Sequence, residues 1–155
     1  MDGIIYQYID DKSKEFDQVM ELRYSILFQP YKKIGRYDYD ELDDKSFHLV
    51  ALNDSMVIGY SRLTYIDGKG KITNVVVHPD FISLGIGHCL IRKLINKAKE
   101  ENISEIFLNS RLDVTEFYRK LGFVEQGSSF VSDKSGLLLQ KMILCVSSYQ
   151  ECSKS

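Results

Sequence analysis

Gly85 and Gly87 lie between an apolar run, ITNVVVHP, and a run with helical spacing, HCLIRKLINKA. A chain that passes from strand to helix leaves the first N–H groups of the helix without internal acceptors, and glycines let an anion approach them. The N–H groups of residues 83 to 88 are therefore candidate phosphate ligands, with the Ser83 hydroxyl as an added donor. Spacing excludes two phosphate loops. No Lys-Ser or Lys-Thr pair follows the glycines, and the three-glycine dinucleotide fingerprint is incomplete. The same residues also fit a compact turn that lets a strand and a helix pack closely. Both readings stand on this segment alone.

Other chemistry-bearing residues are dispersed. His48, His78 and His88 are too scattered for a metal motif, and Cys89, Cys145 and Cys152 fit neither a zinc knuckle nor a disulfide scaffold. No metal is expected. Arg62 interrupts an apolar run, so its charge needs solvent, a partner or a ligand. Asn74 can position a water, and His48 or His78 can accept a proton if either ring reaches a cleft. No carboxylate stands in the TNVVV run to serve as a direct base.

At 155 residues, 44% hydrophobic and 27% charged, the chain fits one globular domain, expected over residues 1–147 with a flexible tail over 148–155. A formal net charge of −2 argues against broad nucleic-acid binding. No apolar run approaches the roughly 20 residues of a membrane span, and the first residues do not read as a secretory signal. With the cysteine pattern, this makes a cytoplasmic protein without nucleic-acid or membrane partners the expectation.

Residues 4–9 read as a strand, and Phe16, Val19, Met20, Ile26 and Leu27 support a helix from about 14 to 28, ended before Pro30. Residues 30–46 are polar and tyrosine-rich and read as a loop with a short helix. Strands are expected at 47–52, 56–66 and 71–78 as an antiparallel meander, with Val75, Val76 and Val77 covered on both faces. Leu90, Ile91, Leu94, Ile95 and Ala98 mark the buried stripe of the next helix, opposite a solvated face of Arg92, Lys93, Lys97 and Lys99. EIFLNS gives a strand. Asp113 and Glu116 make a capping box for a helix to Leu121, and two strands follow between 123 and 146. The order predicts an α/β layered domain.

With these elements in place, VVVHPDFISLGIGHCLIRKLI (residues 75–95) and FYRKLGF (117–123) resemble the Gcn5-related N-acetyltransferase (GNAT) superfamily, in its small bacterial type. The resemblance covers most of the chain. It implies a single domain with a mixed, mostly antiparallel sheet flanked by helices, in which a central strand bulges and splays from its neighbour. It implies acetyl-CoA as co-substrate. The backbone at Val75, Val76 and Val77 would pair with the pantetheine arm and thioester carbonyl. Residues Ser83, Leu84, Gly85, Ile86, Gly87 and His88 would cradle the pyrophosphate. The family usually carries Arg or Gln where this chain has Ile82, so the cradle relies on backbone donors. His88 either faces the phosphate or serves only as a surface residue.

The same likeness gives Tyr118 a role as proton donor to the CoA sulfur, against a plain packing role for its ring. It favours a cofactor contact for the Asn109 amide over strand-end capping. Arg111 can reach a CoA phosphate, an acidic acceptor or only solvent. Arg23, Tyr31, Arg36, Tyr37 and Arg62, on the first helix, the loop after it and the strand at 56–66, either contact the acceptor or make ordinary surface salt bridges and hydrogen bonds. The implied activity is acetyl transfer to a primary amine of a small molecule or peptide, by a monomer or homodimer. The alternative is a CoA-binding regulatory or interaction protein with little or no turnover.

Overall fold

The structure is a computed structural model that describes residues 3–28, 42–133 and 136–149. In chain order the elements are β1 (Ile4–Ile9), α1 (Phe16–Arg23), β2 (Ser46–Asn53), β3 (Met56–Ile66), β4 (Lys69–Val77), α2 (Ile86–Glu100), β5 (Glu105–Arg111), α3 (Thr115–Lys120), β6 (Val124–Glu125), β7 (Phe130–Val131) and β8 (Leu138–Cys145). The expected order of strands and helices holds through α3, with boundaries shifted by local chemistry; three strands then follow where two were expected, because the segment before β8 pairs in two short pieces, β6 and β7.

The first helix is shorter than its apolar spacing suggested. Asp10 and Ser13 close a turn, with the Lys12 N–H on Asp10 Oδ1 at 2.8 Å and the Asp10 N–H on Ser13 Oγ at 3.0 Å, so α1 starts only at Phe16. Past Arg23 it widens into a π-helical turn over Tyr24–Phe28. The capping box expected at Asp113 and Glu116 does not form. Asp113 holds Arg111 instead, Glu116 accepts from Arg119 at 2.6 Å, and Val114 precedes α3 without any side-chain cap. At the C-terminus the chain stays packed through Tyr149, which is buried in the main core; residues 150–155 of the expected tail lie outside the described residues.

The described residues form an open, eight-stranded mixed sheet, with strand order β1-β2-β3-β4-β5-β8-β6 and β7 paired to β8. β1 to β4 make the antiparallel meander. β4 and β5 run parallel but pair only at Gly70–Ile106 and Lys71–Phe107. Beyond Lys71 the two strands part, so the sheet opens at its centre. β5 is held in place from its other side by a continuous antiparallel ladder with β8 that runs from Glu105 to Arg111.

Each face of the sheet carries a helix over its own core. Leu90, Ile91, Leu94, Ile95 and Ala98 of α2 are fully buried on Leu49, Ile58, Leu63, Ile72, Ile106 and Leu108. Full burial of each larger aliphatic chain stabilises the fold by roughly 1.5–3 kcal/mol. On the opposite face Phe16, Val19, Met20 and Leu22 of α1 pack on Val50, Leu52, Tyr60 and Val76. Val76 is buried there, while Val75 and Val77 are only partly covered on the α2 side, so the expectation of two fully covered faces holds in part. The basic face of α2 is not wholly solvated either. Lys93 lies 5.4 Å over the Tyr6 ring, and Lys97 lies about equally close to Tyr8 and Phe47 at 4.9 and 5.0 Å. No helix among the described residues is long and apolar enough to cross a membrane.

Candidate functional site

The first turn of α2 stands at the mouth of the parted strands. Leading into it, Ser83 and Gly85 both take left-handed backbone angles, φ +75° and +80°. Gly85 has open space where a Cβ would stand, so its requirement is conformational and not steric. The first hydrogen bond of the helix runs from the Cys89 N–H to the Gly85 carbonyl at 3.0 Å, and no side chain caps the turn. The N–H groups of Ile86, Gly87 and His88 are thus left without helical acceptors, at the positive end of a 15-residue helix. Ser83, Leu84 and Gly85 are exposed, and so is Ile82 at 61%. An anion would meet backbone donors and a serine hydroxyl here, with no cationic side chain from residues 82 to 88.

The glycines do not divide the work as a simple packing turn requires. A Cβ on Gly87 would meet Phe117 Cζ at 3.6 Å and Val77 Cγ2 at 3.8 Å, both ordinary contacts. The close approach of strand and helix belongs to Gly59 of β3, where a Cβ would stand 2.8 Å from Ile86 Cγ2 and 3.3 Å from Leu90 Cδ1. Sequence reasoning passed over Gly59. A glycine inside an apolar strand was the available signal.

α3 brings the second motif to the same place. The Phe117 ring lies edge-on to His88 at 5.9 Å and to Tyr118 at 4.9 Å, and Phe123 meets Tyr118 at 5.9 Å. Val77, Gly87, His88, Phe117 and Tyr118 therefore converge. Tyr118 is 8% exposed, and burial pushes its hydroxyl up to about 12. Burial first, and then Arg92, lowers the pKa of His88, which favours a neutral ring beside the cradle. Asn109 is exposed on β5, next to Leu108 on the other side of the strand's alternation, and its register partner is Lys141. Arg111 is held by Asp113 at 3.1 and 2.6 Å.

The α1 side of the sheet holds a buried polar network. Asp43 accepts from Arg23 Nη1 at 3.0 and 3.1 Å and from Arg62 Nη1 at 2.6 Å, while Arg62 Nε donates to Thr73 Oγ1 at 2.6 Å. The partner that Arg62 needed is therefore an aspartate that sequence reasoning did not single out, inside the acidic run DELDD. His48 is 1% exposed, with Nε2 at 2.7 Å from the Asp43 carbonyl and Nδ1 at 2.6 Å from the Tyr60 hydroxyl. The carbonyl can only accept, so Nε2 carries the proton and Nδ1 accepts from Tyr60. Neither nitrogen is left to take a proton from a substrate. His78 caps the short turn after β4, its Nδ1 accepting from the Asp80 N–H at 3.1 Å. Tyr31, Arg36 and Tyr37 lie outside the described residues.

Residues 28–145 match the family model of the acetyltransferase (GNAT) domain. Among curated proteins, the uncharacterized N-acetyltransferase ycf52 of Porphyra purpurea is 41% identical over 80 residues, which is 50% of this chain and 46% of that protein. The chain thus spans about half the length of that relative. In fold it is similar to an acyl-CoA N-acyltransferase from Pseudomonas aeruginosa, with a TM-score of 0.80 at 20% identity over 92% of this chain and 99% of the other. A GNAT family acetyltransferase from Elizabethkingia anophelis, solved with acetyl-CoA bound, has a TM-score of 0.70 at 18% identity, covering 94% and 99% of the two chains. With more than two thirds of its length matched by the family model and an open sheet that parts at β4 and β5, the chain belongs to the GNAT acetyltransferase family.

Proposed function

We propose that the protein is an acetyl-CoA-dependent N-acetyltransferase, a single domain that reaches Tyr149, acting on a primary amine of a small molecule or peptide. One observation carries this reading: β4 leaves β5 beyond Lys71, and the uncapped first turn of α2 meets Val77 of β4 and Phe117 of α3, whose ring lies edge-on to the buried Tyr118 ring. Backbone N–H groups over Ser83 to His88 hold the pyrophosphate. The edges of β4 at Val75, Val76 and Val77, freed from β5, hold the amide-bearing arm, and Asn109 contacts the arm from β5.

Acetyl-CoA supplies an activated acyl carbon and a thiolate leaving group. The amine nitrogen bonds to that carbon as the carbon–sulfur bond breaks, and the surplus amine proton leaves through water. Tyr118 touches the sulfur. A free thiol ionises near 8.5, well below the value of about 12 that burial gives this hydroxyl. Tyr118 therefore stabilises the departing thiolate as a hydrogen-bond donor and keeps its own proton. That sharpens the acid role expected from sequence into a positioned neutral donor.

A second reading, a CoA-binding protein without turnover, draws on the apolar Ile82 and on the engagement of both His48 nitrogens. The two separate in one assay. Thiol release from acetyl-CoA is followed across a panel of amines and peptide N-termini, alongside CoA binding by calorimetry. Amine-dependent release is expected. Tight CoA binding with no acylated product from any acceptor would favour the second reading, and no CoA binding would remove both.

A further inference from the structure

β4 breaks its ladder with β3 at one point. Thr73 pairs with Arg62 and Val76 with Tyr60, so Asn74 and Val75 together oppose Ser61. Asn74 adopts φ +58° there. Asparagine tolerates this region better than most residues, which accounts for the backbone. It does not account for the side chain. Asn74 Nδ2 is sealed from solvent and has no hydrogen-bond partner among the described residues. Its neighbours are engaged: Ser61 Oγ donates to the Thr73 carbonyl at 3.2 Å, and Thr73 Oγ1 accepts from Arg62. A buried donor left unmade costs roughly 1–3 kcal/mol, and the fold retains it just three residues past Lys71, the last β4 residue paired with β5.

We propose that the Asn74 carboxamide is the side-chain donor to the acyl oxygen of the acyl-CoA thioester; this rests on the acyl-CoA reading of the gap. As the nitrogen–carbon bond forms and the carbon–sulfur bond breaks, negative charge passes onto that oxygen and returns to the carbonyl of the product amide. An amide N–H there gains strength as the charge develops and exchanges no proton. Asn74 as a whole is only half-buried. A half-turn about χ2 brings the amide nitrogen outward, and no hydrogen bond holds it back.

The test compares acetyl-CoA with CoA by calorimetry on wild type, Asn74→Gly and Asn74→Asp, with Tm followed for each. Glycine accepts the positive φ, so Asn74→Gly keeps the Tm of wild type while removing the donor. Its preference for acetyl-CoA over CoA is expected to fall about three- to tenfold, the range of one ordinary hydrogen bond, with CoA affinity unchanged. Asn74→Asp retains the shape but loses both donors, and its preference falls at least as far. Asn74→Gly variants that bind both ligands as wild type does, or lose both equally, would overturn the proposal. So would an Asn74→Asp protein with an intact preference. Failure of wild type to bind CoA at all would remove the acyl-CoA reading and this donor with it, an outcome distinct from CoA binding with an unchanged ratio.

Discussion

Burial alone holds the Tyr118 hydroxyl up to about 12, and no charged group contributes to that shift. The sign has a kinetic consequence. A group whose pKa is raised stays protonated through the whole neutral and mildly alkaline range, so the donor is present at every pH where the amine acceptor becomes free base. The rate should rise with pH as the amine deprotonates, and should not fall near 10, where an ordinary tyrosine ionises. Tyr118→Phe removes a donor to a developing anion, a contact of about 1.5–3 kcal/mol. The expected loss is roughly ten- to a hundredfold in kcat, with CoA affinity little changed. An alkaline limb near 10 that disappears in Tyr118→Phe would show that the hydroxyl is not held neutral, and an unchanged kcat would remove it from the reaction.

At the scale of elements, the cradle depends on how close α2 comes to β3, and Gly59 sets that distance. Gly59→Ala puts a methyl 2.8 Å from Ile86, the first residue of α2, so strand and helix must separate. Overpacking of this kind costs about 1–3 kcal/mol. A drop in Tm together with weaker CoA binding is expected. Gly87→Ala, whose methyl meets its neighbours only at 3.6 and 3.8 Å, should keep its Tm. Thermal melts and CoA titrations of the two variants check this, and equal Tm losses would contradict it. The contrast also shows what the sequence discloses. The stripe from Leu90 to Ala98 and the strand at residues 56–66 are legible because burial imposes a period on apolar residues. The uncapped turn after Gly85 is legible because its residues are contiguous. The parting of β4 from β5 was expected only through the family resemblance, and the closeness of Gly59 to Ile86 and the union of Asp43 with Arg23 and Arg62 are not legible, since each depends on residues distant in the chain. The capping box was misread because Arg111 and Arg119 compete for the same two carboxylates.

Across the whole molecule, two cores on opposite faces of the sheet must be held in register while the sheet is open at its centre. The polar network does this on the α1 side, joining α1 through Arg23, β2 through His48, β3 through Tyr60 and Arg62, and β4 through Thr73. Within it the pKa of His48 is lowered from 6.5, first by burial, with Arg62 and Arg23 acting in the same direction and Asp43 opposing them. Since folding depresses this pKa, the unfolded chain binds more protons between the folded and unfolded values. The stability contributed by neutral His48 is therefore complete above about 6.5 and is lost as pH falls toward the folded value. The His88 pKa is lowered in the same direction, by burial first and then by Arg92. Denaturation midpoints measured from pH 7.5 down to 5 should fall in wild type, and the slope should be shallower in His48→Gln, which keeps a polar side chain but cannot titrate. Parallel slopes in the two proteins would place the acid sensitivity outside this network, and a midpoint that rises on acidification would mean that His48 is charged in the folded protein.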